Sequence, residues 1–204
     1  MEHVQELPIL KEEQPHLSKV ELYRLKRLIL KHNKLWSTES KEVQTAQNIS
    51  CDIKMKKPFK GRGGIIPMSP VQRTAFNKII QDQLDMGIIE PSKAGVSSTV
   101  FLVPKPGGDS FRLVQDFRAL NKCIADDHYP LPMVEEQLAN IDKCKYFTSL
   151  DMTAAFWQVK LDEESRDATS FMAPMGLYRF TRLPMGLRSD RQYSADSSTK
   201  DWAN

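Results

Sequence analysis

The sequence predicts an α+β fold in which helices pack against antiparallel strands. Three features support this prediction: two capped amphipathic helices, two β-rich segments around a glycine–proline turn, and further short apolar segments joined by tight turns. The chain has 204 residues, of which 40% are hydrophobic and 27% charged, so it can bury a core of ordinary size. Neither a secretory signal nor the ~18 consecutive apolar residues of a membrane span can be recognised.

The first predicted helix begins at Ser18, because Glu21 three residues later completes a capping-box pattern. Behind this cap an apolar stripe consists of Val20, Leu22, Leu25, Leu28 and Ile29. The other face is strongly basic and carries Arg24, Lys26, Arg27 and Lys31. Residues 1–16 are predicted to be a polar tail, and residues 37–50 a linker.

A short basic segment follows the linker. Residues 54–62, KMKKPFKGR, contain four lysines, one arginine and no acid. Two interpretations stay open, namely a solvated charged surface or an arm that contacts phosphates. The net charge of +3 alone favours a polyanionic partner only weakly.

A second amphipathic helix is predicted over residues 70–86. Ser69 is its N-cap, Pro70 its first residue and Gln72 the reciprocal cap. Apolar residues recur every four positions, and Gly87 is expected to end the helix in the left-handed conformation.

The second half of the chain is predicted to be rich in strands. Residues 98–103 and 111–116 flank the turn PKPGGDS, which predicts a β-hairpin with a flexible tip. A short helix is expected over 133–141, and a strand over Tyr146–Leu150 that ends at Asp151. Two further apolar segments flank a turn near residue 175.

The cysteines and histidines argue against soft-ligand metal sites. The three cysteines form no CxxC pair, and the four histidines show no HExxH spacing. We therefore expect free thiols in a reducing compartment, and any bound metal should be a hard cation held by carboxylates.

Three features are candidates for a catalytic or binding role, and each also has a purely structural interpretation. Asp151 either caps the segment that follows it or holds Mg²⁺ beside a substrate phosphate. Lys105 at the hairpin tip and Arg112 on the returning strand either form an ordinary basic hairpin or close over a triphosphate. The segment LPMGL at 183–187 is by itself only a turn.

The order of these features resembles a known family. The matching segments are LDMGIIEPSKAGVSSTVFLVPKPGG, FRLVQDFRALNK, YPLPMVEEQLANI, YFTSLDMTAAFWQVKLDEESRDATSF and GLYRFTRLPMGL. Together they resemble the reverse transcriptases of gypsy-like LTR retrotransposons and related retroviral Pol polyproteins. The resemblance implies a partial right-hand polymerase fold over residues 58–188, with fingers and palm edge at 58–132 and the start of the palm at 133–188. Residues 1–57 then form an N-terminal linker and helical region, and 189–204 a divergent, disordered tail.

The resemblance also implies roles for single residues. Asp151 corresponds to the first catalytic aspartate and would hold Mg²⁺ or Mn²⁺, with a backbone group of Met152 near the same metal. Phe156 lies beneath the incoming sugar, where a rigid ring leaves no room for a 2′-hydroxyl. The other nucleotide-binding positions are Lys105, Arg112 and Met185. The positions on the template side are Arg118 and Asn121.

One part of the family pattern is missing. Two-metal phosphoryl transfer needs more than one carboxylate, and the family places a tyrosine-x-Asp-Asp hairpin after the LPxGL turn. Downstream of Asp151 the sequence has no adjacent Asp pair. The simplest expectation is a truncated, frameshifted or mis-spliced reading frame whose product is inactive on its own.

Three functional hypotheses follow. The first is a fragment of an RNA-directed DNA polymerase that uses dNTPs and an RNA or DNA primer–template. The second is a nucleic-acid-binding module without catalysis, and the third is a pseudogene product or partner-binding remnant. Each implies a protein that is not secreted, in the cytoplasm, a retrotransposon particle or the nucleus, without a membrane partner.

Overall fold

The computed structural model describes residues 16–32, 45–46, 49–108, 110–126, 133–141, 144–149 and 152–188. Internal contacts divide the chain into two units, residues 1–42 and residues 43–204. The smaller unit contains helix α1, Lys19–Lys31. Its predicted capping box is confirmed: the Glu21 amide donates to Ser18 Oγ at 3.3 Å, and the Ser18 amide donates to the Glu21 carboxylate at 2.8 Å.

The described residues of the larger unit form short strands and four helices. Its strands are β1 (Ser50–Cys51), β2 (Ile89–Pro91), β3 (Thr99–Pro104), β4 (Phe111–Asp116), β5 (Lys160–Leu161), β6 (Phe171–Ala173) and β7 (Gly176–Phe180). Its helices are α2 (Pro70–Asp85), α3 (Arg118–Asn121), α4 (Val134–Ile141) and α5 (Glu163–Arg166), with 3₁₀ turns at Ala155–Gln158 and Asp167–Thr169. The predicted α+β fold is therefore confirmed.

Helix α2 begins and ends as its sequence predicts. The Gln72 amide donates to Ser69 Oγ at 3.3 Å, and the Gln72 side chain accepts from the Ser69 amide at 2.9 Å. Beyond its last turn, Gly87 has a φ of 63°, a conformation that costs glycine little and other residues more.

Antiparallel pairing dominates the described sheets. A three-stranded sheet has the order β2-β7-β6, and β3 and β4 form the predicted hairpin. Strands β1 and β5 add a parallel pair of two residues each. β7, the last strand that the structure describes, thus lies in the centre of its sheet, and β2 and β6 each pair with β7 rather than with each other.

The core of the larger unit lies between α2 and the three-stranded sheet. Phe76 and Ile80 of α2 are completely buried, as are Phe171 and Phe180 of the sheet, whose ring centroids lie 5.4 Å apart. Leu183 and Leu187 are also buried. These two leucines fix both ends of the LPMGL segment in the core.

The chain makes an unusually close backbone approach at Gly63. The Gly63 amide donates to the Ser97 carbonyl at 2.7 Å, and Ser97 Oγ donates to the Gly63 carbonyl at 2.8 Å. A Cβ at position 63 would lie 2.2 Å from the carbonyl carbon of Ser98 and the amide nitrogen of Thr99. Only glycine fits there, because both atoms belong to the backbone and cannot rotate away.

Two half-buried arginines tie three elements together. Arg179 of β7 contacts Glu90 of β2 at 2.7 Å, Glu163 at 2.5 Å and Asp167 at 2.9 Å. Arg166 contacts Glu90 at 3.3 Å and Glu163 at 2.6 Å. Burial disfavours the charged form of Arg179, but the hydrogen bonds that Arg179 donates to Asp167 and Glu163 and the charges of Glu90 and Glu163 outweigh it and raise the pKa of Arg179.

The prediction of a strand over Tyr146–Leu150 is wrong for the residues that the structure describes. Residues 144–149 form no strand, and Tyr146 and Phe147 are 55% and 69% exposed. A β-rich sequence forms a strand only when a neighbouring strand satisfies its backbone groups. Leu150 and Asp151 lie outside the described residues, as do the predicted tail at 189–204 and most of the predicted linker.

Candidate nucleotide and nucleic-acid site

Lys105 and Arg112 lie on the same face of the β3–β4 hairpin. Val103 pairs with Arg112 in the register, and the Lys105 amide donates to the Ser110 carbonyl at 2.8 Å, so the ladder continues one step past β3. Side chains two apart share a face, which makes Lys105 and Arg112 diagonal neighbours. Both side chains are exposed. The hairpin therefore carries two exposed cations on one face.

The tip of this hairpin depends on two glycines. Gly107 and Gly108 have φ values of 103° and 81°, and the Gly108 amide donates to the Lys105 carbonyl at 3.0 Å. Other residues adopt these angles only at a cost, so the glycines set how the chain turns after Lys105.

Arg118 forms a bidentate pair with Asp116 at the end of β4. Its Nε donates to Asp116 Oδ1 at 2.9 Å and its Nη2 donates to Oδ2 at 2.6 Å. The side-chain and backbone hydrogen bonds from Arg118 lower the pKa of Asp116 from 3.8 to about 2. The pair thus adds stability above pH 3.8, which is lost as the pH falls through about 2. Sequence reasoning missed Asp116, although the Asp-x-Arg spacing at a strand end was a usable signal.

Asn121 binds the LPMGL turn through both ends of its side chain. Its Nδ2 donates to the Gly186 carbonyl at 2.8 Å, and its Oδ1 accepts from the Arg188 amide at 2.9 Å. Met185, which directly precedes Gly186, is 61% exposed. The side chain assigned to the template side therefore holds the turn that carries Met185, through contacts with residues 65 and 67 positions away in sequence.

The same turn is tied to the basic segment. Arg188 forms an ion pair with Asp126, and Lys56 lies 3.7 Å from Asp126. All three side chains are about half exposed, so these pairs contribute little stability. Sequence reasoning missed Asp126 and Arg188, and their separation along the chain left no local signal.

Phe156 lies in a short 3₁₀ turn and packs, half-buried, against the core. Two residues earlier Ala154 has a φ of 50°, a left-handed conformation that is strained for alanine. The Trp157 amide donates to the Ala154 carbonyl at 2.9 Å, which helps to hold this turn. Met152, also half-buried, precedes it.

The structure brings together only part of the predicted site. It joins Lys105 with Arg112 on the hairpin, and Asn121 with the turn of Met185. Asp151 is outside the described residues, so the predicted metal ligand and its distance to the hairpin stay predictions. The described residues contain no cluster of three or more potential metal-binding side chains and no helix long and apolar enough to cross a membrane.

Comparison with known families defines the class of this domain. Residues 103–189 match the family model described as reverse transcriptase (RNA-dependent DNA polymerase). This segment contains the hairpin's Arg112 and Lys105, Asn121 and the LPMGL turn, and it belongs to the reverse transcriptase family.

The chain is a reverse transcriptase-like domain related to retrotransposon Pol polyproteins. It is 30% identical to the Retrovirus-related Pol polyprotein from transposon 297 of Drosophila melanogaster, over 85% of this chain and 17% of that protein. It is 42% identical to the polyprotein from transposon gypsy of the same species, over 55% of this chain and 11% of that protein. The chain therefore spans less than a fifth of these relatives.

Solved structures show the same fold. Native prototype foamy virus protease–reverse transcriptase aligns with a TM-score of 0.81 and 28% identity. The alignment covers 100% of this chain and 27% of the viral chain. The predicted relationship to gypsy-like and retroviral polymerases is confirmed, and so is the predicted partial polymerase fold.

Proposed function

We propose that residues 58–188 supply the fingers and the first part of the palm of an RNA-directed DNA polymerase. The proposed reaction transfers a deoxynucleotide from a dNTP to the 3′-hydroxyl of a primer paired with an RNA or DNA template. A foamy viral protease–reverse transcriptase that shares the fold has been solved with an RNA/DNA hybrid, which supports this choice of partner.

The observation that carries the proposal is the shared face of Lys105 and Arg112. A triphosphate offers several anionic oxygens, which a flexible lysine meets as a point charge and an arginine as a planar fork. Neither cation has an acidic partner within 4.0 Å in the described part of the chain, so both are available to a ligand. Phosphoryl transfer depends mostly on such positioning and charge neutralisation.

Asp151, with the backbone of Met152 beside it, is the proposed ligand of Mg²⁺ or Mn²⁺. One carboxylate with substrate phosphate oxygens is a donor set that suits a single Mg²⁺. It does not suit a pair of metals, since the sequence downstream of Asp151 offers no adjacent pair of aspartates. When bound, the metal would neutralise charge on the triphosphate. The chain's own part is to hold the phosphates with Lys105 and Arg112 and to place Phe156 against the sugar.

The hairpin cations are expected to bind nucleotide in preference to duplex. In the K105A/R112A variant, affinity for a fluorescent dNTP with Mg²⁺ should fall by at least about tenfold, because charge-assisted hydrogen bonds are worth ~1.5–3 kcal/mol each. Affinity for a primer–template duplex should fall less. Both are measured by anisotropy titration of the 204-residue chain.

The control for this titration is R73A/K93A, which removes one exposed arginine and one exposed lysine outside the hairpin. This variant should bind the dNTP with an affinity within about twofold of that of the wild-type chain, as expected of screened surface charges. Equal losses of dNTP and duplex binding in K105A/R112A would instead indicate a general phosphate-binding surface and contradict the proposal.

The 204-residue polypeptide alone is expected to show no template-dependent dNTP incorporation on a primed RNA template with Mg²⁺. The reason is that the sequence offers no adjacent pair of aspartates downstream of Asp151 to share the metals with it. Incorporation that disappears in D151N would show this expectation to be wrong.

A nucleic-acid-binding module without catalysis is the second candidate. It is favoured by the basic segment 54–62, whose four lysines and Arg62 are all exposed. Only Lys56 has an acidic partner within 4.0 Å among the described residues. In the duplex titration above, this candidate requires an affinity that falls steeply with salt. An affinity that stays constant from low to moderate salt would eliminate it.

A further inference from the structure

Helix α1 carries a stripe of cations that the proposed polymerase site does not use. Arg24, Arg27 and Lys31 are spaced three and four residues apart, so they lie along one side of the helix. All three are exposed. We refer to these three residues as the basic stripe.

The basic stripe has no neutralising partner in the described part of the smaller unit. None of its three cations has an acidic group within 4.0 Å among residues 16–32. The only acid of the helix, Glu21, accepts hydrogen bonds from the Ser18 backbone and hydroxyl. Like charges spaced in this way repel one another, and a polyanion would relieve that repulsion.

The surroundings of the stripe distinguish between two kinds of polyanion. A helix that lies on a membrane concentrates exposed apolar residues on one face, opposite its cations. In α1 the face opposite the stripe is covered, with Ile29 buried and Leu22 and Leu25 half-buried. The exposed apolar side chains instead flank the cations, among them Val20 and Tyr23, at 60% and 66% exposure.

The arrangement fits a nucleic acid better than a lipid surface. Arg24 and Lys31 are seven residues apart, about 10 Å along a helix, which is about three base-pair steps of a duplex strand. Tyr23 beside the stripe offers a ring on which a base can stack. We infer that α1 is a nucleic-acid-binding element whose basic stripe contacts backbone phosphates.

This inference goes beyond the proposed polymerase function. Helix α1 belongs to the unit of residues 1–42 and lies outside the segment 103–189 that matches the reverse transcriptase family. The element would add affinity for template or primer without reading sequence, since phosphate contacts carry no base information.

The test compares two double variants of the 204-residue chain that lose the same charge. R24Q/R27Q removes two members of the stripe, whereas K19Q/K26Q removes two exposed lysines of the same helix on a different side. Binding of a fluorescent 20-nucleotide RNA is titrated by anisotropy at several salt concentrations. Circular dichroism verifies that both variants keep their helix, as expected because glutamine is a good helix former.

We expect R24Q/R27Q to weaken RNA binding by roughly tenfold and to reduce the slope of log affinity against log salt by about one to two. K19Q/K26Q should weaken RNA binding by less than about threefold, because these lysines lie outside the basic stripe and their charges are screened by salt. R24K/R27K, which retains both charges, should restore most of the affinity.

Three outcomes would overturn the inference. Equal losses of RNA affinity in R24Q/R27Q and K19Q/K26Q would indicate general electrostatic attraction to the helix rather than contacts made by the basic stripe. If R24Q/R27Q bound RNA as tightly as the wild type, the basic stripe would not be an RNA-binding surface. If that variant also lost binding to phosphatidylserine vesicles, the stripe would instead be a lipid-binding surface. A wild-type chain that binds no RNA would exclude the inference outright. The dNTP titration of K105A/R112A is a separate readout, so the polymerase proposal can fail independently.

Discussion

Replacing Gly63 with alanine is expected to lower the free energy of unfolding by about 3 kcal/mol or more, a large effect for a single methyl group. The added Cβ would lie 2.2 Å from two backbone atoms of Ser98 and Thr99, so the strand-like contact between residues 61–65 and 97–100 must separate. For a chain of this size the midpoint of thermal unfolding should fall by roughly 6–12 °C. Thermal and urea denaturation followed by circular dichroism measure both quantities.

The neighbouring glycine provides the control. A Cβ at Gly64 would meet no atom within 4 Å, and its φ is outside the left-handed range. Gly64→Ala should therefore change stability by less than about 1 kcal/mol, with a small gain possible from a less flexible unfolded chain. Similar losses in the two variants would mean that the close approach at position 63 is not the cause.

Replacing Arg179 with methionine is expected to cost about 2–3 kcal/mol of stability, because it removes the counter-charge of three carboxylates at once. The Arg179 side chain is only 20% exposed, and Glu90 is 32% exposed, so water replaces the lost interactions incompletely. Asp167 keeps no other described ion pair, whereas Glu90 and Glu163 keep Arg166. Urea denaturation at neutral pH gives the value.

Arg118→Met is the matched control for this prediction. Arg118 also forms charge-assisted hydrogen bonds with a carboxylate, but its side chain is 88% exposed. An exposed pair of this kind contributes no more than about 1 kcal/mol. If the two arginine variants lost equal stability, burial could not be the reason for the effect at Arg179.

The sequence alone was sufficient to predict elements that are stabilised by residues close to one another in the chain. The capping boxes at Ser18 and Ser69 and the left-handed Gly87 were predictable because each depends on residues no more than a few positions apart. The β3–β4 hairpin was predictable for the same reason, since its turn lies between the two strands that pair.

Features that depend on distant partners were not predictable in this way. Tyr146–Leu150 has the composition of a strand, but composition does not supply a neighbouring strand, and residues 144–149 have none among the described residues. The contacts of Arg188 with Asp126 and with the Asn121 side chain join residues more than 60 positions apart. The family resemblance identified Asn121 and Met185 but did not indicate that one holds the turn of the other.

Because Asn121 makes two hydrogen bonds to the turn that carries Met185, the phenotype of an Asn121 variant does not by itself assign a role to this residue. Its side chain contacts the Gly186 carbonyl and the Arg188 backbone amide, both of which follow Met185 in the chain. Under the roles that the family resemblance implies, a substitution at Asn121 in a working polymerase would disturb the nucleotide position beside Met185 together with the contact to the template strand. Genetic defects of either kind could not by themselves tell which substrate the asparagine faces.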